Sequence, residues 1–188
     1  LDSVLGMVQE FREKDTETPI VLMGYLNSIL AMANFAEKAS KSGVDGLIVV
    51  NLPPEEAEDL QLSLKQNDID LIYLLAPTTT EKRSAFIAEK ASGFLYYVSL
   101  KGITGAGHIE VDEVSSRIES LREITDLPLC VGFGIKNATT ATEIGKFSDG
   151  VVVGSALVDL MSESENIDVT AKELESAVSS IRQGLDSI

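Results

Sequence analysis

Residues 149–158 read Asp-Gly-Val-Val-Val-Gly-Ser-Ala-Leu-Val. Val151-Val152-Val153 is a short β-branched apolar run, the pattern of a strand covered on both faces. Gly154-Ser155 follows at once and opens a helix. A strand that passes through glycine straight into a helix is one βα unit, with free helix N–H groups at its turn.

The same unit recurs upstream. Pro128-Leu129-Cys130-Val131 opens a strand that runs into Gly132-Phe133-Gly134-Ile135, with a helix from about Thr139. Phe94-Leu95-Tyr96-Tyr97-Val98 is a strand, followed by the loop Ser99–Gly107 and a helix from about Val111. Leu71–Leu75, Leu47–Val50 and Pro19–Met23 supply three more strands. Their helices are predicted from about Thr80, from Pro53-Pro54, and over 29–42 with Gly43 as its stop. Val4, Leu5, Met7, Val8 and Phe11 have helical spacing ahead of the first strand, with Ser3 as cap. An acidic connection at 162–170 leads to a last helix at about 171–184.

The predicted strands are 19–25, 46–51, 70–75, 94–99, 128–133 and 150–154. Strict strand–helix alternation means α/β. Six strands suit an open doubly wound sheet. A (βα)8 barrel needs eight strands and usually about 250 residues. Against that count stands the loop chemistry: Gly-rich loops follow each of the last three strands, and barrels often hold phosphate after their last two.

The chain has 188 residues, enough for one domain. Thirty acidic against 15 basic residues give a net charge of −15. That disfavours a nucleic-acid footprint or an anionic membrane surface. Backbone N–H groups can still bind a small phosphorylated ligand. Cys130 is the single cysteine, so no internal disulfide or cysteine zinc cluster is expected. No metal or cofactor is expected either. No apolar run approaches the ~20 residues of a spanning helix. The opening Leu1-Asp2-Ser3-Val4 lacks Met and a leader pattern, which reads either as a processed N-terminus or as a chain that begins inside a larger protein.

The strings at 19–27 (PIVLMGYLN), 43–54 (GVDGLIVVNLPP), 97–107 (YVSLKGITGAG), 131–135 (VGFGI) and 149–158 (DGVVVGSALV) together resemble the tryptophan synthase alpha subunit family, in the family's order. The resemblance implies a cytoplasmic (βα)8 TIM barrel of which strands three to eight are present here, residues 1–188 forming one domain. It implies retro-aldol cleavage of indole-3-glycerol phosphate to indole and glyceraldehyde 3-phosphate, in complex with a beta subunit. Carried over by motif, Gly105, Gly134, Gly154 and Ser155 match the phosphate-binding positions. Tyr96 and Phe133 match the pocket wall, and Thr104 the loop threonine that engages a catalytic aspartate. The family's catalytic glutamate and aspartate have no counterpart in this chain, so the 188 residues alone are expected to be inactive.

The residues give no substitute for them. No carboxylate follows Val98 until Glu110, Val131 until Glu143, or Val153 until Asp159. Glu55, Glu56 and Glu81 stand at helix starts, where the helix dipole accounts for them. Lys101 and His108 read as solvated loop residues, and Cys130 as a small hydrophobe. Tyr25 and Asn27 face either the pocket or a subunit contact. Asn51 stands where the family usually has an aspartate. Two other readings stay open: another phosphate-binding barrel of amino-acid biosynthesis, and a non-catalytic partner of a beta-like subunit.

Overall fold

The computed structural model describes residues 1–99, 111–132, 134–163 and 166–188. All six strands are present, each flanked by helix, and the sheet follows chain order, β1-β2-β3-β4-β5-β6. A doubly wound sheet reverses strand order at a switch point; this one does not. The chain forms two compact units, Leu1–Leu74 with Ala85–Leu95, and Leu75–Ser84 with Tyr96–Ile188.

In the first unit α1 (Asp2–Arg12) precedes β1 (Val21–Gly24). After α2 (Leu26–Leu30) and α3 (Phe35–Ser42) comes β2 (Gly46–Val49). A 3-10 turn (Pro54–Glu56) and α4 (Glu58–Lys65) lead to β3 (Asp70–Leu75), and α5 (Glu81–Lys90) follows, of which Ala85–Lys90 belongs to this unit. β1, β2 and β3 pair in parallel, Val21 opposite Gly46 and Gly46 opposite Asp70. Gly46 makes room there for Ile72, whose Cδ1 would lie 2.7 Å from a Cβ at that position. Leu47, Leu64, Leu71 and Ile72 are almost wholly buried.

Three local expectations shift. The helix predicted over 29–42 is two helices, because Asn34 takes a left-handed backbone at φ 57° and starts α3 afresh. Asparagine tolerates that region better than most residues. Gly43 ends α3 as expected, at φ 92°. Ser3 lies inside α1 rather than capping it. What fixes the C-terminal end of α1 is Arg12, which donates to Gly43 O at 2.9 Å and Asp45 Oδ2 at 2.6 Å. The same Asp45 oxygen accepts Ile20 N–H at 2.6 Å, so one carboxylate joins helix, strand entry and strand.

The second unit contains β4 (Leu95–Val98), α6 (Val111–Arg122), β5 (Leu129–Gly132) and α7 (Ala138–Gly145). It closes with β6 (Gly150–Val152), α8 (Ser155–Glu163) and α9 (Ile167–Asp186). Cys130 pairs with Gly150 and Gly132 with Val152, in parallel. Tyr97, Ile118, Leu121, Leu129, Val131 and Ile144 form the buried core. A second clamp repeats the Arg12–Asp45 arrangement. Arg122, at the end of α6, pairs with Asp149 Oδ1 at 3.0 Å, while Asp149 Oδ2 accepts Leu129 N–H at 2.8 Å. The last helix starts at Ile167, four residues before its expected start, because Asn166 Oδ1 accepts the N–H groups of Asp168 and Val169.

Candidate phosphate-binding site

The carboxyl ends of β4, β5 and β6 carry the candidate residues. The parallel register sets Gly132 opposite Val152, so β5 and β6 end level with one another. Ser99 N–H donates to Gly132 O at 3.1 Å, so β4 ends beside them.

Each exit has its own local cause. Gly134 takes φ 80°, a left-handed conformation that glycine adopts without steric cost. After it, Asn137 caps α7 in a reciprocal box: its Oδ1 accepts Thr140 N–H at 3.1 Å, and Thr140 Oγ1 accepts the N–H groups of Lys136 and Asn137. Gly154 is exposed, with open space where a Cβ would stand. Its carbonyl accepts Leu157 N–H at 2.9 Å and Val158 N–H at 3.2 Å, which makes it the cap of α8. Ser155 is therefore the first residue of α8 and is exposed. First-turn N–H groups have no partner within the helix and favour an anion.

Tyr96 is half-buried on β4. Burial raises its phenol pKa, and the neighbouring Cys130 thiol adds to the rise, so the hydroxyl stays protonated at neutral pH. Burial likewise raises the Cys130 thiol, with Asp149 second. That agrees with an inert cysteine.

Gly132 is the residue that sequence reasoning passed over. A Cβ there would meet Tyr96 Oη at 2.3 Å and Cε2 at 2.4 Å, so the bare glycine is the seat of the tyrosine ring. Only its place two residues before Gly134 hinted at a role, and turn geometry explained it equally well. Thr104, Gly105 and Phe133, with Lys101 and His108, lie outside the described residues.

On the first unit, Asn51 Oδ1 accepts Leu26 N–H at 2.8 Å, at the start of α2. An amide oxygen thus supplies the acceptor without a negative charge. Tyr25 and Asn27, beside that bond, are both exposed. Among the described residues no group of three His, Cys, Asp or Glu could hold a metal ion. None of the described helices is long and apolar enough to cross a membrane.

The profile of the tryptophan synthase alpha chain matches residues 1–186. The chain belongs to that family. The alpha chain of Nitrosococcus oceani is 48% identical over 187 residues, covering 98% of this chain and 69% of the relative. The crystal structure of tryptophan synthase subunit alpha from Legionella pneumophila superimposes with a TM-score of 0.87 at 39% identity, covering all of this chain and 70% of that one. The tryptophan synthase α2β2 complex of Pyrococcus furiosus gives 0.86 at 32% identity, over 97% of this chain and 73% of that one.

Proposed function

We propose that this chain acts as a tryptophan synthase alpha chain, cleaving indole-3-glycerol phosphate to indole and glyceraldehyde 3-phosphate alongside a beta chain. The observation that carries the reading is the register that ends β5 and β6 level with one another, with Gly154 capping α8 just beyond β6. Backbone N–H groups of Gly134, Gly154 and Ser155, with the Ser155 hydroxyl, hold the phosphate. Gly105 joins them from the loop after β4. Tyr96 and Phe133 wall the indole end, and Thr104 supports a catalytic aspartate on closure.

The reaction breaks the carbon–carbon bond between the indole ring and the glycerol chain. A proton is added to the ring carbon, and a proton leaves the adjacent glycerol hydroxyl, whose electrons form the aldehyde carbonyl. Two groups must therefore sit within hydrogen-bond reach of those atoms. The described strand ends offer no such pair, since Glu143 lies in α7 and Asp159 in α8. We assign β1–β6 to strands three to eight of a TIM barrel, and place the acid–base groups outside these 188 residues.

An indole-release assay at verified intact mass tests this. The 188 residues alone are expected to bind phosphate yet to turn over at background. General acid–base catalysis contributes about 10²–10⁴-fold per group. Robust turnover by the verified chain would place the acid–base groups within it and overturn the assignment.

A further inference from the structure

We propose that Gly184, on the last helix, is a positioning residue for the anion loop Gly134–Asn137, an inference that rests on the phosphate reading above. Nothing in the motif strings draws attention to it, for it lies in the final turns of α9, far along the chain from any loop.

The connection is a chain of close contacts. A Cβ at Gly184 would stand 2.6 Å from Thr142 Oγ1, 3.2 Å from Ala138 O and 3.3 Å from Ala138 Cβ. Ala138 is the first residue of α7. Two of the three neighbours are therefore on the residue that starts the helix, and one is backbone, which cannot rotate away. Thr142 Oγ1 in turn donates to Ala138 O at 2.8 Å, so the third neighbour is bonded to the second. One step upstream, the Asn137–Thr140 box holds the N–H groups of Lys136 and Asn137. The left-handed turn at Gly134 then completes the loop. A side chain at Gly184 presses on Ala138, displaces the cap, and moves the Gly134 N–H. The glycine lets α9 approach closely enough to fix where α7 begins.

Gly145 provides the internal control. It lies at the far end of α7 against the same helix, and a Cβ there would meet only Leu185 Cδ2 at 2.5 Å and Ile188 Cδ1 at 2.9 Å. Both are ends of flexible side chains. Gly145→Ala disturbs the same helix pair without touching the helix start.

The test is an NMR titration of the full chain with inorganic phosphate, following the Gly134 and Ser155 amides, with a melting curve for each variant. Gly184→Ala is expected to weaken phosphate binding about fivefold, and Gly145→Ala less than twofold, well below each melting temperature. Adding Thr142→Ala to Gly184→Ala removes the nearest obstacle and is expected to recover part of the loss. If Gly184→Ala does not fold, Thr142→Val keeps the volume, removes the bond to Ala138 O, and is expected to weaken phosphate two- to threefold. Losses that track melting temperature equally in both glycine variants overturn the proposal, as does unchanged binding in Gly184→Ala or, in its place, Thr142→Val. If the unsubstituted chain shows no phosphate shift at these amides, the anion reading itself fails and the proposal falls with it.

Discussion

The Tyr96 ring lies against the bare Cα of Gly132, close enough that a Cβ there would be 2.3 Å from Oη and 2.4 Å from Cε2. Gly132→Ala therefore cannot be accommodated without moving the tyrosine. Overpacking a filled site costs about 1–3 kcal/mol. The displaced ring is expected to leave the pocket wall, so an indole-bearing ligand is expected to lose more affinity than inorganic phosphate. Combining Gly132→Ala with Tyr96→Ala is expected to cost less than the two substitutions summed, since the clash is gone, while leaving the indole end unwalled. Calorimetric titration of both ligands, with denaturant unfolding, measures the two effects separately.

Ser155→Ala removes one hydroxyl from the start of α8 and leaves the backbone N–H groups in place. Phosphate affinity is expected to fall modestly, by about 0.5–1.5 kcal/mol. Gly154→Val is expected to be worse, because its side chain occupies space that is open beside the helix start. A larger loss from Ser155→Ala than from Gly154→Val would move the anion away from the backbone.

Gly6 lies inside α1, exposed, with nothing within 4 Å of where a Cβ would be. Gly6→Ala is expected to stabilise the chain by roughly 0.5–1 kcal/mol, since helical glycine loses more backbone entropy on folding than alanine. Urea unfolding reads the change directly. A lowered midpoint would mean that the Gly6 face is covered.

Asp149 carries a pH dependence whose sign follows from its partners. Burial alone would raise its carboxyl, but the hydrogen bonds from Arg122 and from Leu129 N–H outweigh it, and the net shift is downward. A depressed folded-state pKa contributes stability above the unfolded value, about 3.9, that is lost as pH falls through the folded one. Unfolding curves between pH 6 and pH 2, taken as approximate working limits, are expected to lose this contribution on the acid side. Asp149→Asn is expected to remove that part of the acid limb. An unchanged acid limb in Asp149→Asn would mean the carboxyl titrates alike in both states.

The sequence by itself determined the order and type of the elements. Apolar runs of three to five residues, often preceded by Gly or Asp and followed by a helical pattern, have few alternatives to parallel βα units. The periodicity is local, and so is the glycine chemistry at 43, 134 and 154. Local signals failed where a single left-handed asparagine at 34 divides a helix, and where the Asn166 cap starts one early. They were weakest at glycine, which reads alike whether it turns the chain or makes room. The tertiary structure alone decided that Gly132 seats Tyr96 and that Gly184 admits α9 to the start of α7. Register decided that β5 and β6 end level with one another. The missing side chain of a glycine has meaning only through the residue that fills its space. That residue lies 36 positions away at Gly132 and 42 at Gly184, counting to Tyr96 and Thr142, beyond the reach of any local pattern.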